Sequence, residues 1–143
     1  MPKKKNKGKI CIIDDEPMIL EMYQERLKKE GYQVITATDG ISGFNIIKKN
    51  KPNLALIDII MKKKDGISLI KELKKNKELK CIPIIILTNL DDQNVRKKAC
   101  QLGVLFYLIK PNFLPSQIAE IVNEILSVKA KHAEILNMKK CKK

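Results

Sequence analysis

The sequence predicts an α/β sandwich: one five-stranded parallel sheet covered by helices on both faces. Three observations predict it. Short continuous apolar runs recur at 10–13, 34–37, 54–57, 84–87 and 104–109, and such runs bounded by turn residues read as strands buried on both faces. The segments between them repeat apolar residues at helical spacing. Strand and helix then alternate throughout, and right-handed crossovers turn that alternation into a doubly wound sheet.

The elements follow in order. Residues 1–8 are polar and basic and read as a disordered lead-in. The first strand ends in Asp14 and Asp15, and Pro17 suits the first turn of a helix. Ile19 or Leu20, Tyr23 and Leu27 give that helix its inward stripe, and Gly31 stops it. After the second strand, Asp39 and Gly40 turn the chain into a short helix with Ile41, Phe44 and Ile47 inward, closed before Pro52. The third strand runs straight into Asp58. A loop through Asp65 and Gly66 leads to a helix carrying Ile67, Ile70 and Leu73. The fourth strand follows Pro83 and ends in Thr88. A helix with Val95, Ala99 and Leu102 on one side runs to Gly103, which suits a C-cap. The fifth strand ends in Lys110 and Pro111. The last helix starts near Pro115, with Ile118, Ile121, Val122, Ile125 and Leu126 on one face. One domain spans 9–128, and 129–143 reads as a basic extension of the last helix or a tail.

Composition limits the function classes. The chain has 143 residues, 44% of them hydrophobic, which fits one globular domain with a full core. No apolar run is long enough to span a bilayer, and the basic start leads into a strand rather than a signal peptide, so a cytoplasmic location without membrane contact is expected. Cys11, Cys81, Cys100 and Cys141 form no metal-binding spacing and read as buried or idle thiols. The net charge of +13 raises nucleic acid as a partner. Against it, Arg26 and Arg96 are the sole arginines and the lysines are dispersed, whereas forked phosphate and base contacts favour arginine. A solvated lysine surface that attracts an acidic partner fits better. The lone His132 reads as a surface residue.

In a parallel sheet all strand C-termini lie on one edge, where ligands bind. Reading off those ends gives Asp14 and Asp15, Asp58, Thr88 and Lys110. Singly, each has a plain explanation: an acidic pair favours a helix N-terminus, and Asp or Thr at a strand end starts a turn. Together they place hard oxygen ligands, a hydroxyl and an ammonium on one rim. Clustered carboxylates suit Mg²⁺, which keeps waters and substrate phosphate oxygens among its ligands. Thr88 and Lys110 would meet phosphoryl oxygens, and Asp58 is the candidate nucleophile, forming an aspartyl phosphate.

With these residues in place, the sequence resembles the response-regulator receiver domain of two-component signalling. The likeness rests on Ile12-Ile13-Asp14-Asp15-Glu16, Ile57-Asp58-Ile59-Ile60-Met61, Asp65-Gly66, Leu87-Thr88 and Tyr107-Leu108-Ile109-Lys110-Pro111. The resemblance implies a flavodoxin-like (βα)5 fold. It also implies a metal site made by Asp15 directly, Asp14 partly through water, Asp58 and the backbone carbonyl of Ile60. Asp58 is the implied phosphoacceptor, Thr88 and Lys110 the phosphoryl-oxygen partners, and Tyr107 an aromatic switch that turns inward. A cis bond before Pro111 would aim Lys110 at the site. The implied partners are a sensor histidine kinase or phosphotransfer protein and a downstream protein target. Output would run through the surface of the fourth helix, fifth strand and fifth helix, with a homodimer through that surface as one form. The chain would be a stand-alone receiver that promotes its own phosphorylation and dephosphorylation, not an enzyme acting on a separate substrate.

The sequence departs from the family pattern at three places. Lys62 stands where proline often follows Met61, and Asn89 where a small residue is usual after Thr88. One extra residue lies between Pro111 and Pro115. Asn89 would restrict the site or hydrogen-bond the phosphoryl group, and Ile60 and Leu90 would shield an acyl phosphate from water. The competing readings are a degenerate receiver serving as a scaffold, a basic nucleic-acid-associated protein, and an aspartyl-phosphate phosphatase of the haloacid dehalogenase type. The last needs an Asp-x-Asp that the strand ends do not supply.

Overall fold

The computed structural model describes residues 7–127. Residues 1–6 of the expected lead-in at 1–8, the tail at 129–143, His132 and Cys141 lie outside them, while Lys7 and Gly8 are tied down: the Lys7 N–H donates to the Gly31 carbonyl (3.1 Å) and the Gly8 carbonyl accepts from the Gln33 N–H (2.9 Å). The chain runs β1 (Lys9–Ile13), α1 (Pro17–Lys29), β2 (Gln33–Ala37), α2 (Gly40–Asn50), β3 (Leu54–Ile57), α3 (Gly66–Lys75), β4 (Ile84–Thr88), α4 (Gln93–Gln101), β5 (Phe106–Ile109), a 3₁₀ turn (Lys110–Asn112) and α5 (Pro115–Ser127). The five strands form one parallel sheet in the order β2-β1-β3-β4-β5. This is the expected doubly wound, flavodoxin-like (βα)5 sandwich. Among the described residues no helix is long and apolar enough to cross a membrane.

Alternation along the strands sorts the core into two layers. Ile10, Ile12, Leu54, Leu56, Ile85 and Leu87 face α1 and α5 and meet Leu20, Leu27, Ile118 and Val122. Cys11, Ile13, Ala55, Ile57, Ile84 and Ile86 face α2, α3 and α4 and meet Ile47, Leu69, Leu73 and Ala99. Burial pushes the Cys11 thiol up to about 12, so it is an inert apolar filler, as expected of an idle thiol.

Three sequence expectations are corrected. Ile41 points outward and is 50% exposed. The inward face of α2 carries Gly40, Gly43 and Ile47 instead, because glycines let the helix axis approach the sheet where a side chain would hold it off. A Cβ at Gly43 would lie 2.6 Å from Ile13 Cδ1. The fifth strand begins at Phe106 rather than at 104. The Val104 N–H is spent on the Ala99 carbonyl (3.3 Å), closing α4, so that residue approaches the sheet as helix cap and not as ladder. Finally, no peptide bond among the described residues is cis, so the bond before Pro111 is trans. A 3₁₀ turn begins at Lys110, with the Phe113 N–H donating to the Lys110 carbonyl.

The loop between β3 and α3 is pinned at both ends by glycines. A Cβ on Gly66 would sit 2.2 Å from the Asp58 carbonyl oxygen and 2.8 Å from Ile59 Cα. A Cβ on Gly40 would sit 2.2 Å from the Lys64 carbonyl oxygen. Both clashes are with backbone, which cannot rotate away. We predict that Gly66→Ala destabilises the fold by about 2 kcal/mol through overpacking. Gly103→Ala, where the added carbon meets only the flexible end of Lys74 at 3.6 Å but φ is +91°, costs about 1 kcal/mol. Urea unfolding of the two variants checks the order, which reverses if the close approach at Gly66 is not binding.

Candidate functional site

The register of the sheet builds the site. Ile13 on β1 pairs with Ile57 on β3, so the next residues, Asp14 and Asp58, leave neighbouring strands side by side. The Asp58 N–H donates to the Ile13 carbonyl (3.0 Å) and the Asp14 N–H to the Ala37 carbonyl (3.1 Å), which fixes both backbones beyond the strand ends. Thr88 pairs with Ile109 at the far side, so Lys110 follows one residue later. Strand order reverses between β1 and β3, and the crevice at such a switch point is where open α/β sheets bind ligands.

Lys110 is buried, and its ammonium reaches three carboxylates: Asp14 Oδ2 at 2.6 Å, Glu16 Oε1 at 3.2 Å and Asp58 Oδ2 at 3.3 Å. The remaining oxygens take backbone donors. Asp14 Oδ1 accepts from the Glu16 N–H (2.9 Å) and Asp58 Oδ1 from the Ile59 N–H (2.7 Å). Asp15 is half-buried, and oxygens of Asp14, Asp15 and Asp58 lie within 4.8 Å of one another. One ammonium is therefore shared by several carboxylates. Burial alone would lower the Lys110 pKa, but its hydrogen bond to Asp14 and the charges of Asp58 and Asp14 together hold it above the usual lysine range. Each carboxylate receives only part of that single charge. Burial accordingly pushes the Asp14 carboxyl above its ordinary value, and the bonds to Lys110 and to the Glu16 N–H only partly pull it back.

The cluster is thus short of positive charge, and its donors are hard oxygens. Both properties fit a divalent cation such as Mg²⁺. The carboxylates of Asp14, Asp15 and Asp58 could hold it.

A cleft of about 180 Å³ opens above the cluster, lined by Asp15, Glu16, Asp58, Ile60, Thr88 and Asn89. Thr88 is fully buried, and its Oγ1 accepts from the Leu90 N–H (3.2 Å). Its own O–H proton is then available to an acceptor in the cleft. Ile60 and Asn89 line the cleft as their positions suggested. Leu90 does not; it packs on the core beneath α2, α3 and α4. Any apolar shield over Asp58 therefore comes from Ile60.

Tyr107 lies away from the cleft. It is half-buried, and its hydroxyl donates to the Leu90 carbonyl at 2.6 Å. Burial raises its pKa, against the opposing charge of Arg96, so the proton needed for that bond stays on. Arg96 stacks on the ring, 4.6 Å from its centroid, donates to the Tyr107 carbonyl (3.3 Å) and pairs with Asp91.

Sequence reasoning gave no role to two of these groups. Glu16 directly follows the acidic pair, so contiguity was the available signal. Nothing in the spacing of Arg96 pointed to Tyr107, since they meet across α4 and β5.

Fold and rim together define an α/β domain whose strand ends carry a carboxylate cluster, fit for a divalent cation, around one buried lysine. The chain belongs to the response regulator receiver domain family, which it matches over residues 10–123. It is similar to the probable transcriptional regulator ycf27 of Porphyridium aerugineum, 38% identical over 120 residues, covering 84% of this chain and 48% of that protein. To the alkaline phosphatase synthesis transcriptional regulatory protein PhoP of Bacillus subtilis (strain 168) it is 34% identical over 118 residues, covering 82% and 48%. Among solved structures, it resembles the response regulator receiver domain protein (CheY-like) from Methanospirillum hungatei JF-1 with a TM-score of 0.80 and 27% identity, covering 87% of this chain and 97% of that one. The receiver domain of Francisella response regulator 1452 aligns with a TM-score of 0.77 and 31% identity, covering 87% and 99%. The chain spans about half the length of the curated transcriptional regulators it matches.

The shared ammonium generates a prediction. Removing it by Lys110→Met strands buried carboxylates and costs about 3 kcal/mol of stability at pH 7 in Mg²⁺-free buffer. Because the folded-state pKa of Lys110 lies above its unfolded value, its contribution is complete below the unfolded value, about 10.4, and fades as pH rises beyond that. Denaturant titrations of both proteins should show a gap that is flat through neutral pH and narrows in the alkaline range. A gap independent of alkaline pH would contradict the assignment.

Proposed function

We propose that Asp58 is the phosphoacceptor of a two-component response regulator. The observation that carries this is the Lys110 ammonium reaching Asp14 and Asp58 together at the ends of adjacent strands. An Asp58 carboxylate oxygen attacks the phosphorus of a phosphohistidine on a sensor histidine kinase or phosphotransfer protein. The P–N bond breaks, the electron pair leaves on the imidazole, and an acyl phosphate remains on Asp58. Lys110 and the Thr88 hydroxyl bind the phosphoryl oxygens, with Asn89 beside them in the cleft. Asp14, Asp15, Asp58 and the backbone carbonyl of Ile60 hold Mg²⁺, which when bound supplies positive charge against repulsion between the carboxylates and the incoming phosphoryl group. Asp15 suits that task, because no hydrogen bond or ion pair within the described residues occupies it.

The donor must bring its phosphoryl group to the rim. Met18, Ile41, Ile60 and Leu114 are exposed there, at helix starts and in loops after the strands. They offer apolar contacts for a partner protein, interspersed with the exposed Lys62 and Lys63 of the same edge.

On this reading the chain is a phosphoacceptor that promotes its own modification and its own hydrolysis, and is not an enzyme for a separate substrate. It acts in the cytoplasm, where ATP charges the donor histidine. Phosphorylation draws on the Thr88 hydroxyl, disturbs its turn to Leu90, and through Leu90 reaches Tyr107 and Arg96. The readout is the surface of α4, β5 and α5, toward a downstream protein target or a second copy.

Incubation with acetyl phosphate and Mg²⁺ followed by intact-mass measurement should yield one phosphoryl adduct. The adduct should vanish with excess EDTA and in Asp58→Asn. An equal adduct on Asp58→Asn would sink the assignment. A second expectation concerns lifetime. Ile60→Asn opens the cleft to water and should shorten the acyl-phosphate half-life severalfold, read by the decay of the adduct after acetyl phosphate is removed. Leu90→Asn should have the smaller effect, since Leu90 does not line the cleft.

A further inference from the structure

A second concavity, about 470 Å³, runs between α3 and α4 beside the phosphoacceptor cleft. Ile60, Met61, Ile67 and Val95 form its apolar surface. Met61, Ile67 and Val95 are half-buried and rest on the core beneath, so the floor is fixed, while Ile60 is 59% exposed. Lys71 from α3 and Lys98 from α4 stand exposed along it. Two cations of the neighbouring loop are paired: Lys63 with Asp39 and Lys64 with Glu72. Lys71 and Lys98 make no ion pair or hydrogen bond within the described residues. The one carboxylate in the groove, Asp65, caps α3 by accepting from the Ser68 N–H (2.8 Å). The groove therefore presents an apolar floor flanked by two cations that form no ion pair, in excess over its single carboxylate.

That pattern selects its occupant. A nucleic acid would meet no aromatic side chain for base stacking and no arginine fork in this lining. A second copy of the chain would bring its own net charge of +13 against the same sign. We propose that the α3–α4 groove docks an acidic amphipathic segment of another protein, its apolar side chains on Ile60, Met61, Ile67 and Val95 and its carboxylates on Lys71 and Lys98. This is helix-in-groove recognition with charge added at the rim. Ile60 belongs to both the groove and the Asp58 cleft, so the two concavities adjoin. The docking itself does not depend on Asp58 being a phosphoacceptor.

The test is titration of the ¹⁵N-labelled full chain with a capped helical peptide carrying leucines at i, i+4 spacing and glutamates on the flanking positions. The expected amide shifts cluster at Met61, Ile67, Ser68, Lys71, Val95 and Lys98. K71E/K98E weakens binding about tenfold or more by turning attraction into repulsion, while K48E/K49E on the exposed face of α2 leaves it unchanged. The neutral pair K71Q/K98Q gives the same order with a smaller loss, should charge reversal perturb the fold. A peptide of identical composition with its leucines spread around the helix binds more weakly. The proposal is overturned if no binding occurs, if shifts spread over lysines outside the groove, or if K71E/K98E binds as tightly as the parent. It is equally overturned if a DNA duplex produces the same groove shifts, or if those shifts arise from protein concentration alone.

Discussion

A single ammonium, Lys110 Nζ, makes the rim of this sheet tenable. The pairing of Ile13 with Ile57 obliges Asp14 and Asp58 to emerge together, and Asp15 and Glu16 add to the same acidic patch. Parallel strands place such residues on one edge whatever their chemistry, so the core that stabilises the fold also concentrates its repulsion. Lys110 answers only part of that charge. The site is thus a place where local stability is given up and a carboxylate cluster that could hold a cation is retained. Thr88 completes it from β4 without adding charge, and its bond from the Leu90 N–H ties the rim to the strand that carries Tyr107.

Much of this was legible in the sequence because buried strands and strand ends leave strong local signatures. Leu54 to Ile57 can be little else than a doubly covered strand, and a charged residue directly after such a run has to lie on the rim. Helical stripes such as Leu20, Tyr23 and Leu27 were equally readable. What failed depended on distances between elements. Ile41 was placed inward by spacing, yet two glycines let α2 sit so close that its inward face needs no large side chain. Val104 and Leu105 are apolar enough for a strand, but a backbone bond to α4 claims the first of them. The bond before Pro111 is trans, and the 3₁₀ turn delivers Lys110 without it. Leu90, adjacent in sequence to the site, turns to the core, while Arg96 finds Tyr107 across two elements. Contacts of this kind have no period and no spacing rule.

The two faces of the sheet are not equivalent. One carries two helices and the other three, and the extra helix boundary on the second face leaves the groove between α3 and α4. The same face bears Lys71 and Lys98, which form no ion pair among the described residues, whereas most of the nearby carboxylates gather at the rim. Charge is therefore partitioned by position: anionic at the strand ends, where Asp14, Asp15 and Asp58 gather, and cationic a few residues away along the groove. Ile60 marks the border between the two and is the apolar residue common to both.

The glycine contacts have a directional consequence. Gly66 bears on the Asp58 carbonyl and Gly40 on the Lys64 carbonyl, so the loop after β3 is wedged against the starts of both α3 and α2. Backbone pressed on backbone has no rotamer through which to yield. A charge added to Asp58 consequently finds that side of the molecule stiff. On the opposite side stands the Thr88–Leu90 turn, closed by the single 3.2 Å bond that the Thr88 hydroxyl accepts. Two missing methyl groups thereby act as a backstop, and the compliance of the rim is left to the half that carries α4.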